Sequence, residues 1–91
     1  MNHAAYYHNK VIWITGASSG IGAELALQLA KADAKLVLSA RDVLKLNELK
    51  SQLKNPEQHL ILPLDLSQLN DVNSYTDQIL AKYGRIELTQ V

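Results

Sequence analysis

Residues 10–15, Lys-Val-Ile-Trp-Ile-Thr, form a nearly continuous apolar and β-branched run that stops at a glycine. This is the pattern of a short strand buried on both faces. A helix-spaced stretch follows, in which Ile21, Leu25, Ala26 and Leu29 recur at intervals of three and four among good helix formers, up to about Asp33. Residues 35–40 repeat the apolar run, and Asp42 behind them can cap a helix whose Leu46, Leu49 and Leu53 line one face. Pro56 closes that helix and residues 59–64 make a third strand. Ser67 can cap a third helix, in which Val72, Tyr75, Ile79, Leu80 and Tyr83 keep helical spacing until Gly84 stops it. Proline cannot donate to a ladder, so Pro63 predicts that the third strand lies at a sheet edge or ends there.

The element order is β-α-β-α-β-α, with short connections. It predicts an α/β fold of three layers, in which a parallel sheet with right-handed crossovers carries helices on its faces. The expected strand order is 3-2-1, with the third strand outermost. Residues 86–91 can begin a fourth strand. Without it the first strand would keep one unpaired edge, and such an edge invites another strand, so self-association into a homo-oligomer is expected.

Composition narrows the function classes. The 91 residues carry nine basic and nine acidic side chains, so no global field gathers nucleic acid or an anionic membrane, and any anion must be recognised locally. The absence of cysteine excludes a disulfide framework and thiolate metal sites. His3, His8 and His59 have no metal-ligand spacing and are expected to be structural or solvated. The opening residues resemble neither a signal nor a transit peptide, and no stretch approaches the length of a membrane span. A cytoplasmic location is the default expectation.

The chemistry lies between the first strand and the first helix. Gly16, Gly20 and Gly22 stand where a tight turn leaves the sheet and exposes helix N-terminal N–H groups, a place where phosphate binds. Their spacing, Gly-x-x-x-Gly-x-Gly, is not the Gly-x-Gly-x-x-Gly dinucleotide fingerprint. The eight residues Thr15-Gly16-Ala17-Ser18-Ser19-Gly20-Ile21-Gly22 do resemble the cofactor signature of short-chain dehydrogenases/reductases, and the resemblance runs from about Lys10 through Ile86. It implies a truncated Rossmann-like fold, with residues 1–9 as an N-terminal leader and 10–91 as a partial NAD(P)-binding domain.

The resemblance also implies roles for single positions. Gly16, Gly20 and Gly22 would form the cofactor turn, which Thr15 would fix. Ser18 and Ser19 would offer hydroxyl or backbone groups to phosphate and ribose, with local turn stabilisation as the alternative. Ile21 would contribute a backbone N–H near the pyrophosphate. Ala40 stands where NAD-using relatives carry an acidic residue, and Arg41 follows it, so the expected cofactor is NADP(H), its 2′-phosphate held by the guanidinium. The alternative for Arg41 is an exposed side chain pairing with Asp42. Ser39 could add a hydroxyl. Asp65 would accept from the adenine amino group and the backbone N–H of Leu66 would contact the ring; alternatively Asp65 caps a turn.

The family's chemistry is hydride transfer between nicotinamide and a carbonyl or alcohol, through a Tyr-x-x-x-Lys pair on a later helix, with a serine and usually an asparagine. None of these elements occurs in these residues, and Thr89-Gln90-Val91 stand where the family's Asn-Asn-Ala-Gly would follow. Tyr6 and Lys10 have the spacing but precede the first strand, so they are rejected as catalytic. Tyr75 and Tyr83 are expected in the core, and Trp13 under a helix. The chain is therefore expected to be the cofactor-binding front of an oxidoreductase, inactive by itself. The alternatives are a stand-alone nucleotide-binding module and a self-associating remnant.

Overall fold

The computed structural model describes residues 4–64 and 72–90. Strands β1 (Val11–Thr15), β2 (Lys35–Ser39), β3 (Leu60–Ile61) and β4 (Leu88–Gln90) form one parallel sheet in the order β3-β2-β1-β4. The helices are α1 (Ala4–Tyr7), α2 (Gly20–Lys31), α3 (Val43–Gln52) and α4 (Val72–Tyr83), with one turn of 3-10 helix at Pro56–Gln58. The expected alternation of strand and helix is present. Residues 4–7, within the expected leader, form a helical turn, and Tyr7 packs against the core.

Period-two alternation along the strands divides the apolar side chains between two faces. Ile12, Ile14, Leu36 and Leu38 face α2 and α3, where they meet Ala26, Leu29, Ala30, Leu46 and Leu49. Val11, Trp13 and Val37 face the other way and pack with Leu62, Leu64 and Ile79 of α4. β1 and β2 are buried on both sides, which is why each reads as a continuous apolar run. Ser39 belongs to the α4 face, and its hydroxyl accepts the Trp13 indole N–H at 2.8 Å. That bond satisfies two polar groups that burial would otherwise leave unpaired.

The third strand explains Pro63. Only Leu60–Ile61 pair as regular strand, but Leu62 N–H donates to Leu38 O at 2.9 Å and Leu64 N–H to Ala40 O at 3.1 Å. Residues that alternate with these two point their backbone away from β2, so Pro63 lacks its N–H on the open side of the sheet. The proline therefore breaks no bond to β2.

At its other edge β1 pairs with β4 over Ile12↔Leu88 to Ile14↔Gln90. This corrects the expectation of an unpaired β1 edge: the fourth strand forms, and β1 is paired on both sides. Its entry is clamped by side chains. Glu87 N–H donates to Val11 O at 3.0 Å, the Glu87 carboxylate accepts from Val11 N–H, and Arg85 bridges Glu87 to Asn9 O. Burial raises the Glu87 pKa, but the Val11 and Arg85 contacts outweigh it and hold the carboxyl below its ordinary value.

His59 is 2% exposed and takes a structural role. Its Nδ1 accepts Leu36 N–H at 3.1 Å, and its Nε2 faces Lys54 O at 2.9 Å. Together these bonds require the neutral ring protonated on Nε2, and burial lowers the pKa below 6.5. Above pH 6.5 both folded and unfolded imidazoles are neutral and this residue adds no pH dependence. Below it the unfolded chain takes up a proton that the folded chain resists, so stability falls with pH until the folded pKa is passed. Unfolding free energy should therefore fall between pH 7.5 and 5.5, by at most about 1.4 kcal/mol for each pH unit separating the two pKa values, and the thermal midpoint should drop with it. Scanning calorimetry of wild type and His59→Gln checks this, because an identical pH slope in the variant would remove His59 as the cause.

Candidate functional site

At the carboxyl end of β1 the chain must turn out of the sheet and enter α2 within four residues. Gly16 makes the turn with φ +70°, a conformation a side chain would strain. Ala17 N–H then bonds Ser39 O at 3.0 Å, which holds the loop beside the end of β2. Ser19 caps α2: its hydroxyl donates to Gly16 O at 2.8 Å and accepts Gly22 N–H at 3.3 Å. Ser19 N–H also reaches Gly16 O, at 3.2 Å, and Ala23 N–H reaches Ser19 O at 2.7 Å.

Gly22 is the point of closest approach. A Cβ there would run into Gly16 O and stand 3.1 Å from Ala17 Cα. Gly20, by contrast, faces open space. The three glycines have three reasons: a left-handed turn, an open surface, and contact between helix and loop. This accounts for Gly-x-x-x-Gly-x-Gly without the shorter fingerprint. Among the described residues no acceptor meets the N–H groups of Gly20 and Ile21, which point out of the first turn of α2. A cleft of about 280 Å³ lies there, lined by Thr15, Gly16, Ser19, Ile21 and Leu25 among others. Unpaired N–H groups at a helix N-terminus attract anions.

The two serines diverge. The Ser19 hydroxyl is engaged within the turn, whereas Ser18 borders a second groove of about 250 Å³ that runs between the start of α2 and the length of α3, with Lys45, Glu48 and Gln52. Ile21, expected to act through its N–H, also leaves its side chain 88% exposed at the cleft. Arg41 is exposed beyond β2 and Ala40 is buried. Asp42, offered as a partner for Arg41, caps α3 through Lys45 N–H at 3.2 Å. The expected Ser39 contact to a ligand is corrected: Ser39 is fully buried against Trp13. Its place two residues after Val37 gave the signal, since both lie on the α4 face. Asp65, Leu66 and the capping Ser67 lie outside the described residues.

The Tyr6 and Lys10 pair sits before β1, at the opposite end of the sheet from the glycine turn, with Lys10 Nζ 5.6 Å from the Tyr6 ring centroid. No His, Cys, Asp or Glu cluster among the described residues could hold a metal. No described helix is long and apolar enough to cross a membrane.

A parallel sheet in the order 3-2-1-4, with a glycine turn opening a helix N-terminus at its carboxyl edge beside the reversal between β1 and β4, defines a dinucleotide-binding α/β fold. The model of the short chain dehydrogenase family matches residues 10–89, and the chain belongs to that family. It is 46% identical over 85 residues to human "Dehydrogenase/reductase SDR family member 7", covering 88% of this chain and 25% of that protein. It thus spans a quarter of that relative's length. Among solved structures it is similar to 3-ketoacyl-(acyl-carrier-protein) reductase from Brucella melitensis complexed with NADH (TM-score 0.79, 30% identity, 90% of this chain and 33% of that one). It is likewise similar to a metagenomic short-chain oxidoreductase in complex with NADP (TM-score 0.76, 31% identity, 90% and 38%).

The glycine geometry predicts opposite outcomes for two substitutions. Gly22→Ala should cost about 1–3 kcal/mol, because backbone rather than a mobile side chain blocks the methyl group. Gly20→Ala should leave stability unchanged or raise it by up to about 1 kcal/mol. Urea denaturation followed by circular dichroism measures both, and equal effects would show that Gly22 is not the contact point.

Proposed function

We propose that this chain is the N-terminal NADP(H)-binding part of a short-chain dehydrogenase/reductase whose complete form moves a hydride between nicotinamide and a carbonyl or alcohol. The observation that carries the reading is the α2 entrance, where Ser19 and Gly22 fix a turn that leaves the Gly20 and Ile21 N–H groups without acceptors. The pyrophosphate would lie there, with Gly16 and Gly20 admitting it and the exposed Ile21 side chain beside it. The adenosine ribose would extend toward the end of β2, where Ala40 brings no carboxylate and Arg41 offers a paired donor to a 2′-phosphate. Asp65 and Leu66 would take the adenine.

NADP(H) supplies the hydride when bound; these residues bind and orient it. They contain no tyrosine and lysine placed across the cofactor, since Tyr6 and Lys10 lie at the far end of the sheet. The family's acid/base pair would come from residues beyond this sequence. We also read the protein as cytoplasmic and self-associating, the outer edge of β4 having no partner strand among the described residues.

Calorimetric titration with NADPH and NADH is the test of cofactor choice. A charge-assisted contact of about 1.5–3 kcal/mol corresponds to a tenfold to hundredfold preference for NADPH, which Arg41→Ala should abolish. Equal wild-type affinities would defeat it. With cofactor and simple alcohols or carbonyls, nicotinamide absorbance should stay constant over the chain alone; turnover lost in Tyr6→Phe would reverse the assignment of that residue.

A further inference from the structure

We infer that His59 is an acid-operated latch on the edge of the sheet: when its ring takes up a proton, residues 59–64, with strand β3, come away from β2 while the rest of the sheet stays folded. The ring stands where the ladder lacks a strand residue. β3 pairs regularly with β2 only from Val37↔Leu60 to Leu38↔Ile61. Beyond that pairing, Leu36 N–H takes a side chain in place of a backbone oxygen, donating to His59 Nδ1 at 3.1 Å, while Nε2 reaches Lys54 O at 2.9 Å. One buried side chain thus extends the ladder and ties the entrance of β3 both to β2 and to the end of the α3 segment.

This arrangement has no place for the charged ring. A protonated imidazole carries N–H on both nitrogens, so Nδ1–H would face Leu36 N–H, donor against donor, in a buried site. Lys50 of α3 and Lys82 of α4 oppose the cation as well, and Glu57 of the 3-10 turn, which favours it, does not offset burial. Lys54 turns its ammonium to Asp33 at 2.8 Å. Tyr83 of α4, its pKa pushed up to about 12 by burial, keeps its proton and donates to Gln58 O at 2.5 Å. These two ties hold the 3-10 turn in place and confine the opening to the residues after it. What the ring leaves behind is weakly held, since β3 is the outermost strand. Its regular pairing covers two residues, supplemented by Leu62 N–H to Leu38 O and Leu64 N–H to Ala40 O. Opening there breaks no bond of β1 to β2 or β4, and local openings of this kind cost less than global unfolding. It bares the edge of β2 and the apolar Leu62 and Leu64.

Amide hydrogen exchange of the full chain, read by NMR at several low urea concentrations, separates local opening from global unfolding. Leu36, Leu62 and Leu64 should exchange as one group, with protection factors at least about tenfold below those of Lys35 and Ala17 and with little dependence on urea. The comparison amides are bonded to Lys10 O and Ser39 O, away from β3. From pH 7.5 to 5.5 the protection of the group should fall by about threefold to tenfold, the loss setting in near pH 6.5. His59→Gln, which cannot take up the proton, should abolish that loss. A readout on the wild type serves even if the variant does not fold. The ring nitrogen resonances of His59 should show the neutral Nε2–H form at pH 7.5 and titrate at the pH where the loss of protection levels off. Exchange of Leu36, Leu62 and Leu64 with the same protection and urea dependence as Lys35 would show that β3 leaves only with the whole sheet, and would overturn the inference. So would protection of the group that does not change with pH, a loss that persists in folded His59→Gln, or a ring that titrates at 6.5 or above.

Discussion

The carbonyl of Gly16 and the backbone of Gly22 lie so close that no side chain fits between them, and this contact sets how α2 leaves the sheet. Ser19 reinforces it with a hydroxyl that bonds both residues. With the helix start fixed against the end of β1, the Gly20 and Ile21 N–H groups point away from the loop and toward solvent. The same placement lays Ala26, Leu29 and Ala30 on Ile12, Ile14, Leu36 and Leu38. The packing of α2 and the placement of these N–H groups thus follow from one close approach.

The two ends of the sheet are built differently. At the amino ends of the strands, side chains close the backbone: Glu87 and Arg85 bind Val11 and Asn9, and His59 takes Leu36 N–H. Asp33, at φ 66°, meets Lys54 at 2.8 Å, and that bond holds its carboxyl below the ordinary value. At the carboxyl ends, donors are left open around the glycine turn. A structural end satisfies its own polar groups; a binding end leaves some for the ligand.

Much of this was legible in the residues because local signals agreed with the global fold. Buried parallel strands need apolar runs, amphipathic helices need spacings of three and four, and Asp42 and Gly84 marked ends that the structure keeps. The third strand was readable in extent but not in kind: ladder bonds reach Leu64, while the regular pairing covers two residues, because Pro63 interrupts the geometry without costing a bond to β2. Self-pairing decided the fate of β1's edge. Residues 86–91 could be read as the start of a strand but not as its pairing, and it is the Glu87 clamp, 76 positions away from Val11 in sequence, that seats it.

The sequence by itself determined the α/β class, the order of elements, the glycine turn and the candidate residues around it, since each depends on neighbours a few positions away. Only the tertiary structure decided which polar groups remain available to a ligand. Ser39 looked like a ligand contact until β2's alternation and the Trp13 indole placed it in the core. Ser18 and Ser19 are adjacent in the chain, yet one hydroxyl closes the turn and the other residue borders a groove shared with Lys45, 27 positions beyond it. Side-chain roles of that kind depend on contacts between distant segments, and local pattern carries no record of which segments the sheet brings together.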